Sequence, residues 1–161
     1  MELWDAYSKD FSLIEGATLI RRESIPEGMY HLVCDIIVRH TDGSYLLMQR
    51  DPRKAFGGMW EASAGGSALK GEDARTAAKR ELFEETGIRA DNLIEIGRTV
   101  TDENHSLYVC WLCIIDGTKD GIVFQEGETI AYRWVSAEYI KSMSKSELVT
   151  HRMQQFIDEL H

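Results

Sequence analysis

Three carboxylates carry the chemistry this sequence is equipped for. Glu81, Glu84 and Glu85 lie in the run ARTAAKRELFEETG. Ala74, Ala77, Ala78 and Leu82 recur there at helical spacing. At about 100° per residue, the three acids fall within an arc of roughly 100°, on the face that carries the alanines. Glu81 and Glu85 form an i,i+4 like-charge pair and Glu81 and Glu84 an i,i+3 pair, each costing about 0.2–0.5 kcal/mol in an isolated helix. All three also sit in the last turns, where the helix dipole disfavours negative charge. A solvated acidic face is the plain alternative. A semi-buried face that accepts these penalties points instead to a hard divalent cation, Mg²⁺ or Mn²⁺, held by clustered carboxylate oxygens. Arg80 can neutralise part of the cluster and reach back toward Glu72.

The elements that position this helix read as a loop before it and a stop after it. Gly65-Gly66 reads as loop, Gly71 as the N-cap, with Glu72 and Asp73 in the first turn, and Gly87 as the C-terminal stop.

The spacing from Gly66 to Ile88 matches G-x5-E-x7-R-E-U-x-E-E-x-G-U, with U a bulky apolar residue, at Gly66, Glu72, Arg80, Glu81, Leu82, Glu84, Glu85, Gly87 and Ile88. At ordinary residue frequencies a chance match is on the order of 10⁻⁷ or rarer. The chain therefore resembles the Nudix hydrolase family. The resemblance implies an α/β/α sandwich with a mixed, partly antiparallel sheet, and cleavage of a diphosphate linked to another group. It implies that Glu81, Glu84 and Glu85 are metal ligands, one of them helping to activate water. It implies that Arg80 and Glu72 are a supporting charge pair, and that Gly66 and Gly87 are loop positions that let the backbone turn. Family members often draw one more acid from beyond the box; Glu128 is the first candidate for it and Glu126 the second.

Composition bounds the rest. A chain of 161 residues with 43% hydrophobic content suits one domain, 1–161, with 1–30 an N-terminal strand or hairpin extension and 66–88 the box. The opening MELWDAYSKD lacks the apolar core of a signal peptide, and the longest apolar run, 107–115, is too short to span a bilayer, so no membrane role and a cytoplasmic location are expected. A net charge of −9 argues against a broad nucleic-acid footprint. It also sets an acidic protein against an anionic small-molecule substrate, a conflict that a bridging cation removes. Arg50, Arg53 and Lys54, the basic residues nearest the box in sequence, are candidate substrate-phosphate contacts, with a solvated loop as the alternative.

The strands are expected at 31–39, 45–50, 93–100, 107–115 and 130–135, with the first two closed as a hairpin by Asp42-Gly43 and packed beneath the site helix. Cys110 and Cys113 fall in one strand, three residues apart and hence on opposite faces. With Cys34 they read as packing residues, not a redox or zinc pair. His105 reads as a loop surface residue. Ser136 caps a helix through Ile140, and Ser144 with Glu147 forms a capping box for a last helix. Its stripe of Met153, Phe156, Ile157 and Leu160 suits the core or a homodimer contact.

Two other functions compete with hydrolysis. The order HLVCDIIV, a loop basic in Arg53 and Lys54, then GMWEASAGG is similar to the Nudix branch that includes isopentenyl diphosphate isomerase. That chemistry uses a cysteine near the strand before the box, where this chain has WEASAGG. A nucleotide-sensing module is the third reading, but such modules degrade the metal glutamates, which are intact here.

Overall fold

The computed structural model describes residues 1–160. Two long apolar strands form its centre, β3 (His31–His40) and β8 (Ser106–Ile115), parallel and paired from His31↔Ser106 to His40↔Ile115. Their near-continuous apolar sequences are those of strands buried on both faces. β7 (Leu93–Thr101) pairs antiparallel with β8 on one side. On the other side β3 meets β4 (Tyr45–Arg50) only at Arg39↔Tyr45. The expected β3–β4 hairpin thus separates beyond its turn. β6 (Ala64–Ser67) takes the freed edge of β3, and β4 pairs with β5 (Trp60–Glu61) and β9 (Thr129–Val135). The result is a mixed, seven-stranded sheet.

Helices cover both faces, giving the α/β/α sandwich. On one face Ala77, Ala78 and Leu82 of α1 (Ala74–Thr86) pack on Cys34, Ile36, Met48, Val109 and Cys113. On the other, α2 (Ala137–Ser142) and α3 (His151–Glu159) pack on Ile37, Leu47, Cys110 and Leu112. The Met153, Phe156 and Ile157 stripe is therefore core, with Leu160 packed against it. All three cysteines are buried and free, and Cys110 and Cys113 lie in the cores on opposite faces of the sheet. α3 is further held by a partly buried ion pair, Arg152 Nε to Asp35 Oδ2 at 2.6 Å, with the guanidinium 3.6 Å from the Tyr108 ring centre.

Before this sandwich the chain forms a separate hairpin, β1 (Leu3–Tyr7) with β2 (Leu13–Ile20). It is anchored by Trp4, whose ring stacks on that of His31 at 4.2 Å and 15°. The loop before α1 also ties down to it, through the Lys70 amide on Leu3 O (2.9 Å) and the Gly71 amide on Asp5 Oδ2 (2.7 Å).

Three local expectations are corrected. Gly65-Gly66 lies in strand β6, not in a loop. α1 begins two residues after Glu72, capped by Asp73, whose Oδ1 accepts from the Thr76 amide at 2.7 Å; Gly71 turns the chain with φ +87°. An aspartate side chain satisfies an orphan amide, which a glycine cannot do. The Ser144–Glu147 box closes a turn, with Glu147 Oε2 2.9 Å from the Ser144 amide, and α3 starts only at His151.

Candidate active site

Because α1 starts at Ala74, Glu72 stays outside the helix and folds back on Arg80. The Arg80 guanidinium engages all five of its N–H donors. Nε and Nη2 donate to Glu72 Oε1 and Oε2 at 2.7 and 3.0 Å, Nη2 also to Ser67 O at 3.1 Å, and Nη1 to Glu81 Oε1 and Glu84 Oε2 at 2.9 and 3.3 Å. Arg80 therefore joins the loop, the strand β6 and two box glutamates. Burial works to raise the Glu72 carboxyl, but the Arg80 bonds and the Leu69 amide outweigh it and hold it below its ordinary value.

The three glutamates are graded by depth. The Glu84 side chain is 40% exposed, that of Glu81 13%, and Glu85 is 5% exposed. Burial, then the charges of Glu61 and Glu81, push the Glu85 carboxyl well above its ordinary value, against the pull of Lys54 and the Gly65 amide. Glu85 Oε2 is buried with no hydrogen-bond partner. Burial also raises Glu81, with Arg80 opposing it. Among the described residues no three acidic, histidine or cysteine side chains are already gathered at ligand spacing. Arg80 holds Glu81 and Glu84 by their oxygens, and Glu81 also lies against Glu85.

Gly66 has a reason other than turning. It lies in β6, and a Cβ there would come 2.4 Å from Glu81 Oε1. The absent side chain is the space that Glu81 occupies. Gly87 does turn the chain: at φ 77° it ends α1, its amide on Phe83 O at 2.8 Å.

These groups open onto a pocket of about 370 Å³, walled by Gly65, Gly66, Arg80, the three glutamates, Lys54, Gln125 and Glu128. Lys54 Nζ contacts Glu128 Oε2 across the loop. Glu126 is exposed and off the pocket wall. Of the three basic residues singled out in sequence, Lys54 alone lines the pocket. Arg50 turns to Glu61 Oε2 (3.1 Å) and Ala55 O (2.9 Å). Arg53 is clipped to Asp51 by Nε and Nη2 at 2.8 and 2.7 Å. His105 sits in the turn between β7 and β8, Nδ1 3.0 Å from Met29 O, away from the pocket.

Sequence reasoning missed the two pocket residues supplied by the hairpin, Glu2 and Arg21. They lie 45 or more residues before the box, and only the folded hairpin brings them to it.

A family model described as the NUDIX domain matches residues 29–160. The chain belongs to the Nudix family. It is 31% identical over 147 residues to an uncharacterised Nudix hydrolase of Listeria monocytogenes, covering 91% of this chain and 86% of the relative. Among solved structures it resembles DR0079 of Deinococcus radiodurans, with a TM-score of 0.77, 17% identity and 98% of each chain covered. It also resembles the NUDIX domain of Shewanella oneidensis NrtR, solved with ADP ribose, with a TM-score of 0.65, 17% identity, and 81% of this chain and 88% of that one covered. The protein is thus a Nudix hydrolase, of a family that generally cleaves diphosphates in small-molecule nucleotide derivatives with divalent cations. No helix among the described residues is long and apolar enough to cross a membrane.

Proposed function

We propose that this Nudix hydrolase is a pyrophosphohydrolase that uses Mg²⁺ or Mn²⁺ to cleave a diphosphate linkage in a nucleoside diphosphate derivative or a related compound. The observation that carries the reading is Glu85 Oε2, a buried carboxylate oxygen without a donor, on a residue that lines the pocket beside Glu81. Such an oxygen is open to a hard cation. Glu81, Glu84 and Glu85 would hold the ion. Bound there, it would neutralise phosphoryl oxygens and lower the pKa of a water.

The remaining work falls to side chains of this protein. Arg80 holds Glu81 and Glu84 in reach of Glu85. Lys54 Nζ faces the carboxylates and orients a phosphoryl oxygen. Glu128 accepts the proton of the attacking water as its oxygen bonds to phosphorus and the bridging P–O bond breaks. Its position on the pocket wall favours it over the exposed Glu126. Arg50 and Arg53 act at one remove, by fixing Glu61 and Asp51 beside the loop that carries Lys54. The ADP ribose of the Shewanella domain, a diphosphate joining two ribose groups, supports this substrate class. A nucleotide-derived substrate also fits a cytoplasmic location and a single domain over residues 1–161.

The isomerase reading needs a reactive cysteine. Cys34 is buried against Gly66 O at 3.3 Å, and burial, with the charges of Glu81 and Asp35, holds its thiol protonated.

The test is phosphate release after coupled dephosphorylation, across nucleoside diphosphate sugars, dinucleotides and nucleoside triphosphates, with Mg²⁺ or Mn²⁺. Metal-dependent release from at least one class is expected. Silence across the panel with both metals overturns the reading.

A further inference from the structure

The family match begins at residue 29, yet the pocket is walled in part by residues that precede it. We propose that Arg21, carried at the end of the N-terminal hairpin and tethered by Glu2, is a specificity-determining residue that binds a phosphoryl oxygen of the substrate. This rests on the diphosphate reading above.

The hairpin holds Arg21 in a defined place. Trp4 is stacked on His31 of β3, and its indole Nε1 donates to Glu2 Oε1 at 2.8 Å. Glu2 Oε2 accepts from Arg21 Nη1 at 3.0 Å, and the Arg21 amide donates to Glu2 O at 3.0 Å. With Lys70 and Gly71 bonded to the same hairpin, the hairpin that ends at Arg21 is fixed to the loop leading into α1.

Arg21 is also the pocket cation with the most donors to offer. Arg80 engages all five of its own, and Lys54 contacts Glu128. Arg21 makes one side-chain hydrogen bond, and its other guanidinium N–H groups have no partner among the described residues. Its ion pair with Glu2 is half exposed, at 54% and 32%, so the bond competes weakly with a phosphate. A planar guanidinium fork matches two phosphoryl oxygens. A pocket lined by Glu2, Glu81, Glu84, Glu85 and Glu128 needs such a cation if it is to hold an anion.

The experiment is calorimetric titration of a methylene-bridged diphosphate analogue, which cannot be cleaved, in the presence of Mg²⁺. It compares the wild type with Arg21→Ala, Arg21→Lys and Arg22→Ala. Arg22 is exposed and off the pocket wall, so its variant controls for bulk charge. Arg21→Ala is expected to bind roughly 10- to 100-fold more weakly, the loss of a charge-assisted hydrogen bond or two. Arg21→Lys should fall between, and Arg22→Ala should match the wild type. Binding by Arg21→Ala equal to the wild type overturns the inference alone, as does equal weakening by Arg22→Ala. Failure of the wild type to bind the analogue at millimolar concentration overturns the inference together with the diphosphate reading.

Discussion

Glu81 and Gly66 share one space: a Cβ on Gly66 would lie 2.4 Å from Glu81 Oε1 and 2.5 Å from its Cδ. The strand β6 approaches α1 so closely that the backbone at position 66 forms the floor under a glutamate of the site. The fixed spacing from Gly66 to Glu81 is thus a packing constraint as much as a sequence pattern.

Gly66→Ala should therefore displace the Glu81 carboxylate while leaving the sheet paired, since φ at this position is not left-handed. We expect kcat to fall by about 100-fold or more, the scale of a misplacement of about 1 Å at a reacting centre. Steady-state kinetics beside a far-UV melt check this. Unchanged kcat in a folded variant would show that Glu81 has room to spare.

Arg80 is equally constrained. Arg80→Lys keeps the charge but cannot reproduce five directed donors. The Glu72 pair and the tie to Ser67 O would be lost, and stability should fall by about 1.5–3 kcal/mol, with lower turnover. Chemical denaturation measures the first effect and phosphate release the second. A variant as stable as the wild type would mean that the Glu72 carboxylate finds other donors.

His31 gives the protein a stability that depends on pH. Burial, with a smaller push from His105, lowers its pKa from 6.5 to about 4. Its Nε2 is 2.7 Å from Ser106 Oγ, and its ring carries the Trp4 stack. The folded state binds this proton less readily than the unfolded one. The contribution is thus complete above pH 6.5 and declines as pH falls toward 4, by up to about 3 kcal/mol. Denaturation curves of wild type and His31→Gln between pH 4 and 7.5 test this. The difference between them should shrink toward acid, and a constant difference would contradict it.

The sequence made the family and its box legible and left the reasons for some of the box residues hidden. The spacing of Glu72, Arg80, Glu81, Glu84 and Glu85 was readable because helical periodicity sets which side chains share a face. The long strands were readable from their apolar runs. Gly66 looked like a turn residue because the close approach of Glu81 is a tertiary fact. Asp73 lost the cap to Gly71 on paper because two acids follow the glycine and either frame satisfies the helix dipole. Arg50, Arg53 and Lys54 were indistinguishable in a basic loop; only their partners Glu61, Asp51 and Glu128 separate them. Arg21 had no local signal, since its place in the pocket depends on a hairpin docking through Trp4.

The central claim is that Glu81, Glu84 and Glu85 bind the cation that hydrolysis needs, and Glu85 is the residue on which to test it. Its carboxylate is buried, crowded by Glu61 and Glu81, and has an oxygen with no partner. The measurement is a pair of thermal melts, with and without Mg²⁺ or Mn²⁺, for wild type and Glu85→Gln, with turnover recorded on the same samples. Without metal the variant should melt higher, because a buried charge and its like-charge repulsion are gone. Metal should raise the melting temperature of the wild type through linked binding, and should have little effect on the variant. Turnover of the variant should fall by roughly 100-fold or more. An equal metal-induced shift in both proteins, with turnover retained in the variant, would contradict the account.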